Sequence, residues 1–130
     1  AQFKPAAELP DAEYPFVLIT GRVLEHWHTG AMTRRSAALD ALEPAAHIDV
    51  NPDDLAALGG RAGEFVVLET RRGKVSARAR ADAGLARGTL FMPFCYVEAA
   101  ANLLTNPVLD PFGKIPEFKY CAAKLSCSVR

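Results

Sequence analysis

Apolar positions in this chain come in short runs broken by glycine, proline and charge, and no long helical stripe occurs anywhere. Residues 14–20 (YPFVLIT) form a continuous apolar run that stops at Gly21, the pattern of a buried strand feeding a loop. Residues 36–42 predict a weak helix ended by Pro44, and residues 47–50 (HIDV) alternate as a short strand. The strongest local signal is NPDDLAALGG. Asn51 can cap a helix, Pro52 suits its first position, Asp53 and Asp54 face the positive end of the dipole, and Gly59 supplies the left-handed stop. Residues 65–70 and 74–80 flank RRGK as a hairpin. In its second strand Val75, Ala77 and Ala79 alternate with Ser76, Arg78 and Arg80, so one face is solvated. Residues 89–94 read as an apolar strand in which Pro93 predicts an edge or a break. Residues 98–104 have helical composition, TNPVLDPFGKIPE is a long polar loop, and residues 118–129 predict a last strand. About six short strands, two short helices and glycine-punctuated turns describe a mainly β protein, a small barrel with helical connections.

The length, 130 residues, is that of one domain. Half of the residues are apolar, and fifteen basic side chains balance fifteen acidic ones, which fits a globular chain and excludes disorder. A neutral balance lacks the basic excess that phosphate neutralisation along a nucleic acid requires, so nucleic acid is not an expected partner. No apolar run approaches the roughly eighteen residues of a membrane span, so no membrane contact is expected either. Cys95, Cys121 and Cys127 are odd in number and never spaced C-x-x-C, which predicts three reduced thiols and no disulfide framework, iron–sulfur or zinc site. That usage suits a cytoplasmic protein and is compatible with a periplasmic one. Residues 1–13, rich in proline and alanine and without an initiating methionine, read as a linker, which suggests a piece of a longer polypeptide.

Two polar clusters carry the candidate chemistry. The first, TGRVLEHWHTGAMTRR, spans residues 20–35 and follows the first strand directly. Glu25, His26 and His28 invite a metal reading, in which residues 26 and 28 chelate from one side of an extended backbone. Glu25 would then face away, and a third ligand would have to come from elsewhere. A plainer reading makes His26, Trp27 and His28 half-buried loop residues with satisfied hydrogen bonds. Against it stands the density of Thr20, Arg22, His26, His28, Thr29 and Thr33 beside Gly21 and Gly30, where backbone can approach a ligand closely. Such a run suits a large polar ligand: the forked donors of Arg22 fit a phosphate, and Trp27 offers a face for stacking on a ring. The second cluster, PFCYVEAAANLLTNPVLDPFGKIPEFKYC, places Asn102 on a largely apolar element, where a buried amide needs partners, or where it braces the next loop. Lys119, between Phe118 and Tyr120, predicts a side chain on the opposite strand face from its aromatic neighbours, which usually means solvent. Cys95 beside Phe94 and Tyr96 reads as a small buried thiol, since the nearby charge of Glu98 disfavours a thiolate.

Taken in order, TGRVLEHWHTGAMTRR, NPDDLAALG and ANLLTNPVLDP…KIPEFKYCA resemble the C-terminal domain of the molybdopterin-guanine-dinucleotide oxidoreductases, closest to the alpha (catalytic) subunit of formate dehydrogenase. The resemblance covers residues 14–125, and periplasmic nitrate reductase is the near relative. It implies a six-stranded double-psi β-barrel over residues 14–130 that wraps one molybdopterin guanine dinucleotide of a pair (bis-MGD) holding molybdenum or tungsten. Thr20, Gly21, Arg22, Val23, Leu24, Glu25, His26, Trp27, His28 and Thr29 would form the cofactor-binding loop, with Asn102 and Lys119 as further contacts. It implies as partners the N-terminal domains of the same subunit, which would carry the catalytic residues and an iron–sulfur cluster, and separate electron-transfer subunits. Formate would be oxidised to carbon dioxide by the full-length subunit, and the fragment alone would be inactive. Cys95 stands where many relatives carry histidine, a variation associated with cytoplasmic NAD-linked formate dehydrogenases. Three rivals remain at this point: the same domain of a nitrate reductase, a stand-alone barrel that serves as an interaction module, and the metal site at Glu25, His26 and His28.

Overall fold

The computed structural model describes residues 3–127; Ala1 and Gln2 of the expected linker, and Ser128 and Val129 of the expected last strand, lie outside the described residues. Six strands form: β1 (Phe16–Gly21), β2 (His47–Val50), β3 (Phe65–Thr70), β4 (Gly73–Ala81), β5 (Thr89–Pro93) and β6 (Cys121–Cys127). They close into one barrel in the order β1-β5-β2-β4-β3-β6. β1 runs parallel to β5 and β2 parallel to β4, the two crossed pairs of the double-psi arrangement, while the remaining neighbours are antiparallel. Closure satisfies every strand edge. Pro93 therefore lies on no edge. It pairs with Gly21 at the last position of β5, where its missing N–H costs nothing, and the ladder ends one residue later with Phe94 N–H donating to Gly21 O.

The interior is filled from every strand. Leu18, Ile48, Val50, Val66, Leu68, Leu90 and Met92 are fully buried. β4 shows the expected alternation, Val75, Ala77 and Ala79 inward against exposed Lys74, Ser76, Arg78 and Arg80. Two helices connect the strands: α1 (Ala37–Leu42) and α2 (Pro52–Ala57). α2 begins as its sequence predicts, with the Asn51 side chain accepting from Asp53 N–H at 3.0 Å, and it ends at Gly59 with φ 74°. Residues 98–104 do not make a continuous helix. Ala100 is extended (φ −69°, ψ 108°) and divides the stretch into two 3-10 turns, Val97–Ala99 and Ala101–Leu103. That break buries Ala99 and Ala101 and leaves Asn102 exposed.

The proline- and alanine-rich entry, expected to be a linker, is fastened to the barrel as a strap. The Glu8 carboxylate takes the Arg72 guanidinium through both oxygens at 2.6 and 2.9 Å, and also accepts from Ala122 N–H at 2.9 Å. Asp11 pairs with Arg71, whose guanidinium lies 4.5 Å from the centre of the buried Tyr14 ring. The Arg72 hydrogen bond holds the Glu8 carboxyl below the ordinary carboxylate value of 4.5. A carboxylate depressed on folding adds stability that is complete above the unfolded value and lost as pH falls through the folded one. The stability difference between wild type and Glu8→Gln is therefore expected to be constant near neutral pH and to shrink steadily below pH 4.5. Urea unfolding across pH 3 to 7, taken at about one-unit steps, checks this. A difference that stays flat down to the acid end would show the pair to be inert.

Candidate functional site

Because β1 and β5 are parallel and end together at Gly21 and Pro93, the chain leaves the barrel twice at the same point. Residues 22–35 form one wall, residues 94–106 the second, and the loop that ends at Lys119 the third. Between them lie three adjoining hollows of 600, 390 and 340 Å³ that share Phe94 and together make one groove. Gly21 lets the Phe91 ring lie close against β1 here. A Cβ would stand 2.6 Å from the Phe91 ring, so even alanine would force that ring to turn aside at the groove's root. Gly30 (φ 74°) is constrained as well, since a Cβ would meet Cys95 O at 2.9 Å.

Five of the twelve predicted residues line this groove: Arg22, His28, Thr29, Asn102 and Lys119. They come from three separate stretches of chain, and only the closed barrel brings them together. Lys119 sits in a turn ahead of β6, not on a strand face, with its ammonium 5.9 Å from the Phe118 ring. His28 holds φ 52°, a left-handed conformation that costs a residue with a Cβ on the order of 1–2 kcal/mol and needs support from its surroundings. Its ring stands edge-on to Phe94, 5.4 Å between centroids, at the junction of two of the hollows.

The other seven serve the wall or face away from it. Thr20 is buried, and its hydroxyl donates to Phe118 O at 2.7 Å, tying the Phe118–Lys119 turn to β1. Gly21 gives the close approach already described, and Val23 packs against the core. Leu24, at 97% exposure, and Trp27, at 61%, point outward, with the Arg22 guanidinium 5.4 Å from the indole. Glu25 is half-buried. His26 is 1% exposed and fully engaged: one ring nitrogen meets Glu43 O at 2.8 Å and the other Thr33 Oγ1 at 3.3 Å. Tyr96 OH donates to the same Glu43 carbonyl at 3.0 Å, so His26 and Tyr96 brace two walls on one acceptor. This use of His26 removes it from any shared site with His28. Among the described residues no three histidine, cysteine or acidic side chains gather to hold a metal ion.

Sequence reasoning missed several wall residues. Arg34 spans from one wall to the other, gripping Glu98 through both carboxylate oxygens at 2.7 and 2.9 Å and Asp40 at 3.1 Å, over the Tyr96 ring. Burial pushes the Tyr96 phenol and the Cys95 thiol up, so both are neutral donors near pH 7. The buried amide of the second cluster is Asn106 and not Asn102. Its Nδ2 donates to Glu117 at 2.9 Å and its Oδ1 accepts from Val108 N–H at 3.1 Å. The doubled arginine of TRR and the asparagine just before a proline were the available signals, but which member of each pair faces the groove depends on turns that no periodicity encodes.

Some basic side chains are neutralised by ion pairs, and others, at the groove and also at Lys4, Arg61, Arg78 and Lys114, form none among the described residues. Arg34, Arg71, Arg72, Arg80 and Arg87 are each ion-paired with a carboxylate. Arg22, Arg35 and Lys119, which all line the groove, form no ion pair among the described residues. A cleft bearing three unneutralised cations, a hydroxyl, an amide and an apolar floor at Phe94 and Phe118 suits an extended anion with a ring system.

Comparison with known proteins agrees with this chemistry. Residues 16–122 match the family described as the molydopterin dinucleotide binding domain. The chain is 46% identical over 124 residues to the F420-dependent formate dehydrogenase subunit alpha of Methanocaldococcus jannaschii, covering 95% of this chain and 18% of that protein. It is 44% identical over 118 residues to the F420-dependent formate dehydrogenase 1 subunit alpha of Methanococcus maripaludis, covering 91% and 18%. In structure it resembles acetylene hydratase from Pelobacter acetylenicus, with a TM-score of 0.80 at 20% identity over 88% of this chain and 18% of that one, a likeness of fold. The chain thus spans less than a fifth of the length of these relatives. Over that span it belongs to the molydopterin dinucleotide binding domain family.

Proposed function

We propose that this chain is the C-terminal cofactor-binding domain of a formate dehydrogenase catalytic subunit, and that its groove holds a molybdopterin guanine dinucleotide. The observation that carries the reading is the set of unpaired cations, Arg22, Arg35 and Lys119, on a groove whose floor is aromatic. Arg22 and Lys119 neutralise the pyrophosphate, Thr29 and Asn102 offer a hydroxyl and an amide to its polar edges, and Phe94 keeps water from the floor. Arg34 and His26 hold the walls apart at a fixed width and touch no ligand. When bound, the cofactor, as one of a pair on molybdenum or tungsten, supplies the two-electron redox chemistry that converts formate to carbon dioxide. The domain supplies orientation and a fixed positive field. The relatives' names support formate over nitrate as the substrate. In the same reading the earlier domains of the subunit carry the catalytic residues and an iron–sulfur cluster, electrons leave to separate subunits, and the enzyme works in the cytoplasm. No helix among the described residues is long and apolar enough to cross a membrane.

Metal and nucleotide analysis of the full-length polypeptide is the test. About one atom of molybdenum or tungsten per chain is expected, with about two guanine nucleotides released on acid hydrolysis, and turnover of formate but not of nitrate. Folded full-length protein with neither metal nor guanine nucleotide would sink the reading and leave the barrel as an interaction module.

A further inference from the structure

We infer that the N-terminal strap is a positioning element of the ligand groove, with Glu8 as its key residue, acting through Arg72 on the groove wall. The inference rests on the cofactor reading given above, and its geometry is independent of it. Two consecutive strap residues fasten the two ends of one wall. At the near end, Glu8 holds the Arg72 guanidinium through both carboxylate oxygens, and that same guanidinium donates from Nε to Leu104 O at 2.9 Å. Leu104 O also accepts from Thr70 Oγ1 at 2.9 Å, so the carbonyl is pinned to the β3–β4 hairpin from two directions. Asn102, Thr105 and Asn106, on either side of Leu104, line the groove. At the far end, Ala7 N–H donates to both oxygens of Glu117 at 3.2 Å, and Glu117 takes the Asn106 amide at 2.9 Å. Glu117 immediately precedes Phe118 and Lys119, which close the groove on that side.

The wall between those points has little holding it otherwise. Residues 107–116 are exposed and place no side chain in the core; the bridge between Leu109 and Pro116 and local backbone hydrogen bonds such as Asp110 N–H to Ile115 O shape the loop internally without tying it to the barrel. Its placement on the barrel comes from polar contacts at its ends: Thr70 and the Glu8-held Arg72 on Leu104 O, and Ala7 on Glu117 beside the Thr20 bond to Phe118 O. A bidentate arginine–carboxylate pair is directional as well as strong, and here it aims Nε at a single carbonyl. Glutamine at position 8 keeps an acceptor for Ala122 N–H but loses the charge and the paired grip, so Arg72 is free to turn away. Lysine at position 72 keeps the charge and cannot reach Glu8 and Leu104 O together. A chain segment arriving from earlier in a longer polypeptide would thus set the width of the groove directly.

The test uses the full-length polypeptide, with hydrogen exchange followed peptide by peptide and with molybdenum, tungsten and guanine nucleotide counted per chain after gel filtration. Glu8→Gln and Arg72→Lys are expected to speed amide exchange about tenfold across residues 102–119, to leave the strands β3 and β4 protected, and to lower metal and nucleotide content to less than about half of wild type. Asp11→Asn, which loosens the strap only where it meets Arg71, is expected to change neither quantity. Exchange at wild-type rates in residues 102–119, or acceleration spread evenly over the barrel, overturns the positioning role. Faster exchange in the wall with full cofactor content overturns it as well. Wild-type protein without metal or nucleotide defeats the cofactor reading alone, because the exchange comparison still decides whether the strap holds the wall.

Discussion

Replacing Arg22 and Lys119 together by alanine is expected to weaken retention of the pterin dinucleotide by the full-length subunit about a hundredfold or more. Hydrogen bonds to charged groups contribute about 1.5–3 kcal/mol each, and about 1.4 kcal/mol corresponds to a factor of ten in affinity. Both side chains are exposed at the groove mouth, so solvent and salt screen them and the lower end of that range applies. Folding should be untouched. Neither side chain makes a hydrogen bond or ion pair among the described residues, and each touches only an aromatic ring. The double variant is therefore expected to melt as wild type does while losing metal and guanine nucleotide on dialysis, and rising salt should weaken retention in wild type more steeply than in the variant. Lys74→Ala removes a cation of similar exposure that is paired with Glu69 on the barrel wall, and should lose nothing. Equal cofactor retention in the Arg22 and Lys119 variant and in the Lys74 variant would mean that the unpaired cations serve another ligand.

The barrel itself was legible because its strands obey local rules. Most are short runs with a glycine or proline close by, and the alternation in β4 states which face is solvated before any partner is known. α2 was equally plain, its cap, its proline and its stop all lying within one ten-residue window. Pairing order was not legible from the pattern. β1 lies beside β5, about seventy positions away, and the double-psi crossing entered through the family resemblance and not through periodicity. The site divided in the same way. Arg22, His28 and Thr29 were visible as a dense polar run, but His26, two residues from His28, turned out to be a brace, its ring held between Glu43 O and Thr33 Oγ1. The strap reads as a linker on composition, and its attachment to the barrel was not legible. Proline and alanine do mark unstructured entries, and Glu8 and Asp11 look like ordinary surface acids until the fold places Arg71 and Arg72 beside them. Ion pairs between distant positions leave no trace in a local pattern, which is also why Arg34 could not be told from Arg35.

Leu90→Ala is expected to cost about 3 kcal/mol of stability. Leu90 is fully buried in β5, facing Leu18 across the parallel pair and Val50 across the antiparallel one, so it sits where the two halves of the barrel are joined. Removing three carbons there opens a cavity whose lining belongs to three strands. None can move inward alone, because each is hydrogen-bonded on both sides in a closed barrel, and partial collapse is what normally limits such losses. Against a total stability of about 5–15 kcal/mol for a domain, that loss is large. Urea unfolding is expected to show a midpoint lowered by about 1 M or more with an unchanged slope. Leu24→Ala, at a side chain 97% exposed, should stay within about 0.5 kcal/mol of wild type. The groove follows from the same joint. β5 ends three residues after Leu90, at the point where Phe94 N–H meets Gly21 O, so a β5 shifted by a collapsing core would carry Phe94 and the groove floor with it. Leu90→Ala is accordingly expected to reduce cofactor retention in proportion to its loss of stability, whereas the Arg22 and Lys119 variant reduces retention with no loss of stability. Finding the two effects inseparable in both variants would show that the groove is not a surface built on a rigid barrel but a part of its folding unit.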